Sequence, residues 1–419
     1  MKLKKYKLGD LVQITRGASL GGEYYATQGN YIRLTCGNFD YRNNCFKENK
    51  SKENIYYIGD FKEDFLLEKG DIITPLTEQA IGLLGSTARI PESGKYIQSQ
   101  DVAKIDCNEN LLDKNFAFYL ISSTCVKKQL NAAAQQTKIR HTSPDKIKEC
   151  TVWIPSLDVQ KRIGRILTDI DKKIAINRQI NDNLEAMAKQ LYDYWFVQFD
   201  FPNKEDKPYK SSGGVMAWNE KLKREIPQGW SNGVLSDVAN ITMGQSPDGS
   251  SYNEDGEGII FYQGSTDFGL RFPDIRQYTT SPSRYANKGD ILMSVRAPVG
   301  ALNIANNDCC IGRGLSALSS KIGSMTHLYY LMNDFRLKFE GMNSAGTTFG
   351  SITKDELFSL PVIIPTKSVI SEFEQVCEPI FDKQMIIGEE INALTKQRNE
   401  LLPLLMNGQA SVNYHLSDD

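Results

Sequence analysis

The stretch from Asp158 to Phe196, DVQKRIGRILTDIDKKIAINRQINDNLEAMAKQLYDYWF, constrains this chain more than any other. Steps of four and three pick out Ile163, Leu167, Ile170, Ile174, Asn177, Asn181, Leu184, Ala188, Leu191 and Trp195, a coiled-coil seam. No proline interrupts it and Gly164 is its only glycine, so the spacing predicts one unbroken helix. At 1.5 Å per residue that helix is a rod of about 58 Å. Alone, it could not bury its apolar stripe, and it therefore needs a partner helix.

The same chain supplies one. Between Glu372 and Asn407 the seam recurs at an offset of 210 as Phe373, Cys377, Ile380, Gln384, Ile387, Ile391, Leu394, Arg398, Leu401 and Leu405. Pro379 and Pro403 mark places where this second rod is expected to kink or end. Polar residues interrupt both seams, Asn177 and Asn181 in the first, Gln384 and Arg398 in the second; such residues fix register at some loss of stability.

The rods belong to a longer internal repeat. Leu8-Gly-Asp-Leu-Val-Gln-Ile-Thr returns as Leu235-Ser-Asp-Val-Ala-Asn-Ile-Thr at offset 227. Lys69-Gly-Asp-Ile-Ile returns as Lys288-Gly-Asp-Ile-Leu at offset 219, and Val152-Trp-Ile-Pro as Val362-Ile-Ile-Pro at offset 210. The chain is thus a globular unit followed by a long helix, twice, over about 1–197 and 228–408. Between the copies, 198–227 is polar and rich in Gly and Lys, and reads as a linker with little core of its own. The KGDI segments and the segments ending in Ile-Pro read as strands; Leu112–Gln129 and His327–Phe339 read as short helices, giving an α+β class.

Composition excludes several functions. A net charge of −2 argues against binding nucleic acid by bulk charge alone, though not against a local basic face. Eight scattered cysteines without a CxxC pair, and only three histidines, give no zinc-ligand spacing, so no metal is expected. No apolar run reaches membrane-spanning length, and MKLKKYKLGDL lacks the apolar core of a signal peptide, so a cytoplasmic protein is expected. Phosphate loops of the GxxxxGKS/T kind, GxGxxG after a strand, GxSxG and HExxH are missing, and no catalytic residue is expected. Pro144-Asp145 and Pro273-Asp274 read as turns rather than as a nuclease carboxylate set.

The polar residues of the loops are the candidates for recognition. In copy one they are Arg33, Thr35, Asn38, Arg42, Gln98 and Gln100, with Thr137, Lys138, Arg140 and His141 in the loop before the Ile-Pro strand. In copy two they are Gln245, Tyr252, Gln263, Ser265, Arg296 and Arg313, with Thr347 and Thr348. Hydroxyls, amides and guanidinium groups are what bond phosphates and base edges. For any single one a solvated surface role and a DNA contact are equally open; as a group they suit two readers with one frame and different specificities. Ser143 and Thr353 read as helix caps. Lys2, Lys4, Lys5 and Lys7 read either as phosphate contacts or as a solvated tail.

Taken together, Ile226-Pro-Gln-Gly-Trp230 leading into Leu235-Ser-Asp-Val, the KGDI strands, the Ile-Pro endings at 155 and 365 and the two long helices resemble the specificity (S) subunit of type I restriction–modification enzymes. The resemblance covers essentially the whole chain, except that copy one lacks the IPxGW lead-in. It implies a target recognition domain over 1–157, a spacer helix over 158–197, a linker over 198–227, a second recognition domain over 228–367, a second spacer helix over 368–408 and a tail over 409–419. It further implies helices paired antiparallel with pseudo-two-fold symmetry, and a bipartite, asymmetric DNA target. Two methyltransferase (M) subunits and restriction motor (R) subunits are the implied partners. S-adenosylmethionine and ATP would then belong to those partners, not to this chain. The competing readings are a stand-alone DNA-modifying enzyme and a protein-interaction scaffold that binds no DNA.

Overall fold

The structure, a computed structural model, describes residues 2–41, 43–50, 53–78, 82–133, 140–344 and 350–410. The chain divides into two units, Met1–Ala175 with Ala393–Asp419, and Ile176–Asn392. Both long helices are cut by that division. The first is α-helical over Leu157–Tyr192 and ends in a π-helical turn, Asp193–Val197; the second covers Lys367–Met406. Each unit therefore holds one globular part and a portion of both helices.

Within each unit the helix portions lie antiparallel. In the second, Asn177 reaches Glu390 at 2.8 Å and Glu185 reaches Gln384 at 2.8 Å, so numbers rise on one helix as they fall on the other. In the first, Asp171 meets Arg398 at 2.9 Å. Ile163, Leu167, Ile174, Phe373, Ile387 and Ile391 are buried, and Ile170, Leu184, Leu191, Ile380, Leu394 and Leu401 are half-buried between them. Pro379 and Pro403 do not end the second helix. Each removes the donor for the carbonyl four residues back; Gln375 and Asn399 are exposed, where water can serve those carbonyls.

The globular parts repeat the same two-, four- and five-stranded sheets, the first adding a hairpin of Phe39–Asp40 with Cys45–Phe46. In the first, Lys4–Lys7 pairs antiparallel with Thr151–Ile154. A four-stranded sheet runs Ala88–Arg89, Ile72–Pro75, Val102–Cys107, Val12–Arg16. A five-stranded sheet runs Tyr25–Ala26, Tyr56–Tyr57, Tyr31–Arg33, Tyr96–Ile97, Leu66–Leu67. In the second, Ser231–Val234 pairs with Pro361–Ile364. The four strands are Leu302–Ile304, Ile291–Ser294, Leu315–Ser320 and Ala239–Met243, and the five are Tyr252–Asn253, Tyr278–Thr279, Ile259–Tyr262, Cys309–Ile311 and Tyr285–Ala286. Each five-stranded sheet has one parallel pair, at the same place.

The short motifs are the joints of this frame. In each KGDI turn the glycine takes a positive φ, +86° at Gly70 and +94° at Gly289, a region open to Gly. The following aspartate caps the turn: Asp71 accepts from the Glu68 amide at 3.0 Å, and Asp290 from the Asn287 amide at 2.8 Å. At the start motif Asp10 accepts from Lys7 N and Asp237 from Val234 N. Ser143 and Thr353 are caps, accepting from Lys146 N and Glu356 N. The reading of Leu112–Gln129 as one helix is corrected to two, Lys114–Ile121 and Thr124–Ala133. Ser122 and Ser123 part them, their hydroxyls bonding nearby backbone groups in place of helix continuation.

The reading of 198–227 as a linker with little core also gives way. Phe199, Phe201 and Ile226 are buried in one aromatic cluster with Trp195, Phe196, Trp230 and Phe373. Phe201 stacks on Trp230 at 5.2 Å, and Met216–Asn219 pairs with Arg224–Pro227 as a hairpin. The polar residues that suggested a linker lie on the outside of this packed segment. Lys4–Lys7 likewise form an edge strand rather than a tail, with Lys7 Nζ donating to the Glu149 carbonyl at 2.8 Å.

Phe373 is fully buried, with ring contacts to Tyr192, Trp195 and Phe196. Phe373→Ala should destabilise the second unit by about 3–5 kcal/mol. Thermal unfolding followed by near-ultraviolet dichroism would show a lower midpoint; an unchanged midpoint would mean the cluster does not hold helix and globular part together.

Candidate nucleic-acid interface

In each unit three loops meet at the open end of the parallel strand pair. The unit-one loops are at Gly17–Ala18, Leu34–Thr35 and Gln98–Gln100; those of unit two are at Gly244–Gln245, Tyr262–Gly264 and Ile311–Gly314. Their backbones are tied alike: Ala18 N donates to Gln98 O at 3.1 Å, and Gln245 N to Ile311 O at 3.0 Å. The approach is close enough to require glycine. A Cβ on Gly17 would stand 2.3 Å from the Gln98 carbonyl oxygen, and one on Gly244 would stand 2.1 Å from that of Gly312.

Carried through this frame, Ala18 corresponds to Gln245, Thr35 to Gln263 and Gln100 to Arg313. Unit two thus gathers three candidates, all exposed, onto one loop cluster. Arg313 N is held by the Ser246 hydroxyl at 3.3 Å and Gln263 N by Asp267 at 3.2 Å, so the backbone under both side chains is fixed. An exposed amide pair beside an arginine offers donors and acceptors in the fork geometries that read base edges. In unit one only Gln100 of the three is exposed.

Other candidates are committed to the fold. Arg33 is buried, its guanidinium 3.7 Å from the centre of the Tyr25 ring and donating to Asn54 O. Asn38 is buried and bonds Thr35 N and Lys47 O, while Thr35 Oγ1 accepts from Gly37 N and the Asn49 amide. Gln98, 1% exposed, donates to Thr15 O at 2.7 Å and Val102 O at 3.1 Å. Tyr252 stacks on Phe261 and donates to Pro247 O at 2.9 Å, as Tyr25 does to Leu20 O at 3.1 Å; both tyrosines pin a loop. Ser265 is half-buried and opens the turn Ser265–Asp267.

A second cluster forms where the loops before the Ile-Pro strands return. Thr77–Glu78 pairs antiparallel with Arg140–His141, and Arg296 bridges Ser351. The frame therefore sets Thr77 against Arg296 and His141 against Ser351: one backbone bridge with different side chains. Arg140 lies 3.7 Å from the buried carboxylate of Glu78, and Thr77 Oγ1 sits between Asp101 Oδ1 at 3.2 Å and His141 Nδ1 at 3.4 Å. The sequence reading missed Thr77 and Glu78. The 219 offset that joins the KGDI strands would have found Thr77, since it lands on Arg296. Arg42, Thr137, Lys138, Thr347 and Thr348 lie outside the described residues.

Among the described residues no cluster of His, Cys, Asp or Glu could hold a metal ion, and no helix is long and apolar enough to cross a membrane. Burial pushes Cys36, Cys107 and Cys150 thiols up to about 11, which keeps them protonated and poor nucleophiles at neutral pH.

Gln98 and Gln100 separate structural from surface amides by a stability measurement. Gln98→Ala removes a buried side chain's bonds to the Thr15 and Val102 carbonyls and should lower stability by about 1–3 kcal/mol. Gln100→Ala should stay within about 0.5 kcal/mol of the native protein. Equal losses in chemical denaturation would contradict this sorting.

Comparison with known proteins agrees with the repeated architecture. The family model for the type I restriction modification DNA specificity domain matches twice, over residues 2–186 and 227–402. A relative from Methanocaldococcus jannaschii, assigned as the MjaX specificity subunit of a type I restriction enzyme, is 31% identical over 85% of this chain and 83% of its own. The HindI specificity subunit of Haemophilus influenzae is 23% identical, over 75% and 81%. In fold, the chain is similar to the crystal structure of the S subunit of a type I restriction–modification system from M. genitalium, with a TM-score of 0.61, 15% identity and coverage of 97% and 96%.

Proposed function

The chain belongs to the type I restriction modification DNA specificity family, and on that premise we propose that it is the non-catalytic subunit that reads a bipartite, asymmetric DNA target for such a complex. One observation carries the reading: two copies of a single backbone frame present different side chains at corresponding loop positions, Ala18, Thr35 and Gln100 against Gln245, Gln263 and Arg313. A frame repeated for stability alone has no need of such exchange. A reader of two different half-sites does.

Methyltransferase subunits and restriction motor subunits are the proposed partners. The outward face of the first helix supports docking, since Ile176, Ile180 and Met187 share one helical face and are exposed, as are Val376 and Ile386 on the second helix. S-adenosylmethionine and ATP then belong to those partners, and the complex is cytoplasmic, where chromosomal DNA is reached. Half-sites about one helical turn apart, roughly 34–36 Å, lie on one face of the duplex, and rods of about 58 Å can bridge that interval.

Base-modification mapping of DNA from cells expressing this chain with its methyltransferase tests the reading. One split, asymmetric motif should appear only when the chain is present. Arg313→Ala should relax one half of that motif, by about 1–3 kcal/mol of discrimination at a single base pair, and leave the other half as it was. A palindromic motif, or methylation unaffected by removing the chain, would overturn the proposal.

A further inference from the structure

Each unit buries an arginine where the helix pair meets the globular part. In the first, Arg398 comes from the second helix and is 9% exposed at its side chain. It donates to Asp171 of the first helix at 2.9 Å and to the Asn43 carbonyl of the globular part at 3.3 Å. Tyr119, also from the globular part, donates to the other oxygen of Asp171 at 2.6 Å. In the second unit the arginine comes from the globular part instead. Arg271, 8% exposed at its side chain, donates to Gln384 of the second helix at 3.1 Å and lies 3.5 Å from Glu185 of the first. Gln384 closes the triangle by donating to Glu185 at 2.8 Å. The guanidinium is packed over the rings of Tyr329 and Phe381.

Both joints thus tie three bodies at once: first helix, second helix and globular part. Their chemistry suits orientation more than adhesion. Exchanging a buried ion pair for apolar groups of similar volume commonly leaves stability level or raises it. Polar residues inside a helix seam instead select one register over its neighbours. Guanidinium is planar, permanently charged and directional, so sliding one helix by a turn of 5.4 Å, or tilting the globular part, would break all of its bonds together.

We propose that Arg398 and Arg271 are positioning residues that set the angle and register of each recognition domain on the helix pair, and thereby the number of base pairs allowed between the half-sites. This rests on the reading of the chain as a bipartite DNA reader. Neither arginine contacts DNA; each acts through the domain that it holds.

The test is base-modification mapping with the complete chain and its methyltransferase, comparing the native protein with Arg398→Met and Arg271→Met. Both variants should keep the native sequences of both half-sites. Targets whose spacer is one base pair longer or shorter, unmethylated by the native protein, should become methylated to within about tenfold of the native target. Tyr119→Phe removes one bond of the first joint, and Gln384→Leu removes two of the second while leaving Arg271 beside Glu185; both should relax spacing in the same direction, which keeps the test open if a methionine variant fails to fold. Folded variants that methylate only the native spacing would overturn the proposal, whatever their thermal stability. Failure of the native protein to give any split motif would instead overturn the bipartite reading beneath it.

Discussion

Antiparallel packing of two long helices is the constraint on which both units depend. Each helix alone would expose an apolar stripe along its whole length, and in each unit one hydrophobic core draws residues from both. Leu167 and Leu405, from different helices, share one core with Leu11 and Phe116. Trp195 and Phe373 share another with Phe199 and Trp230. The seam is therefore an internal surface of two globular bodies as much as a coiled coil. Two of its polar exceptions, Gln384 and Arg398, sit where a globular part supplies a partner, while Asn177 bonds Glu390 across the helix pair.

The repeated frame shows how one fold can serve two specificities. Its joints are backbone hydrogen bonds, a positive-φ glycine in each KGDI turn and aspartate caps, none of which depends on the side chains at the loop tips. Gly17 and Gly244 let two loops approach closely enough to be tied through their main chains. Once the loops are tied that way, Ala18 can become Gln245 and Gln100 can become Arg313 without disturbing what holds them. On the proposed reading, recognition is separated from stability by assigning it to positions where the backbone is already satisfied.

Much of this was legible in the sequence, for identifiable reasons. A seam of period 3.5 over ten positions leaves few alternatives to a helix pair, and motifs in fixed order twice over imply a repeated unit. Loop residues were harder. Arg33, Asn38 and Gln98 look like ligand-binding groups by type, but they are buried and bonded to main-chain groups that no local pattern identifies. Residues 198–227 looked like a linker because they are polar and rich in Gly and Lys; the aromatic residues that anchor them, Phe199, Phe201 and Tyr209, are scattered and pack around Trp230 in no local pattern. Arg271 carries no pattern at all. Its partners are Glu185 and Gln384, and only tertiary structure brings those together.

Because the first unit is built from Met1–Ala175 together with Ala393–Asp419, its synthesis is interrupted by the whole of the second. At about 5–20 residues per second, on the order of 10–40 seconds separate the emergence of Ala175 from that of Ala393. During that interval the core around Leu8, Ile163 and Leu167 lacks Leu405 and Met406, which close it. The first unit is thus discontinuous in sequence and the second continuous. The last turns of the last helix supply the residues that close the first unit's core.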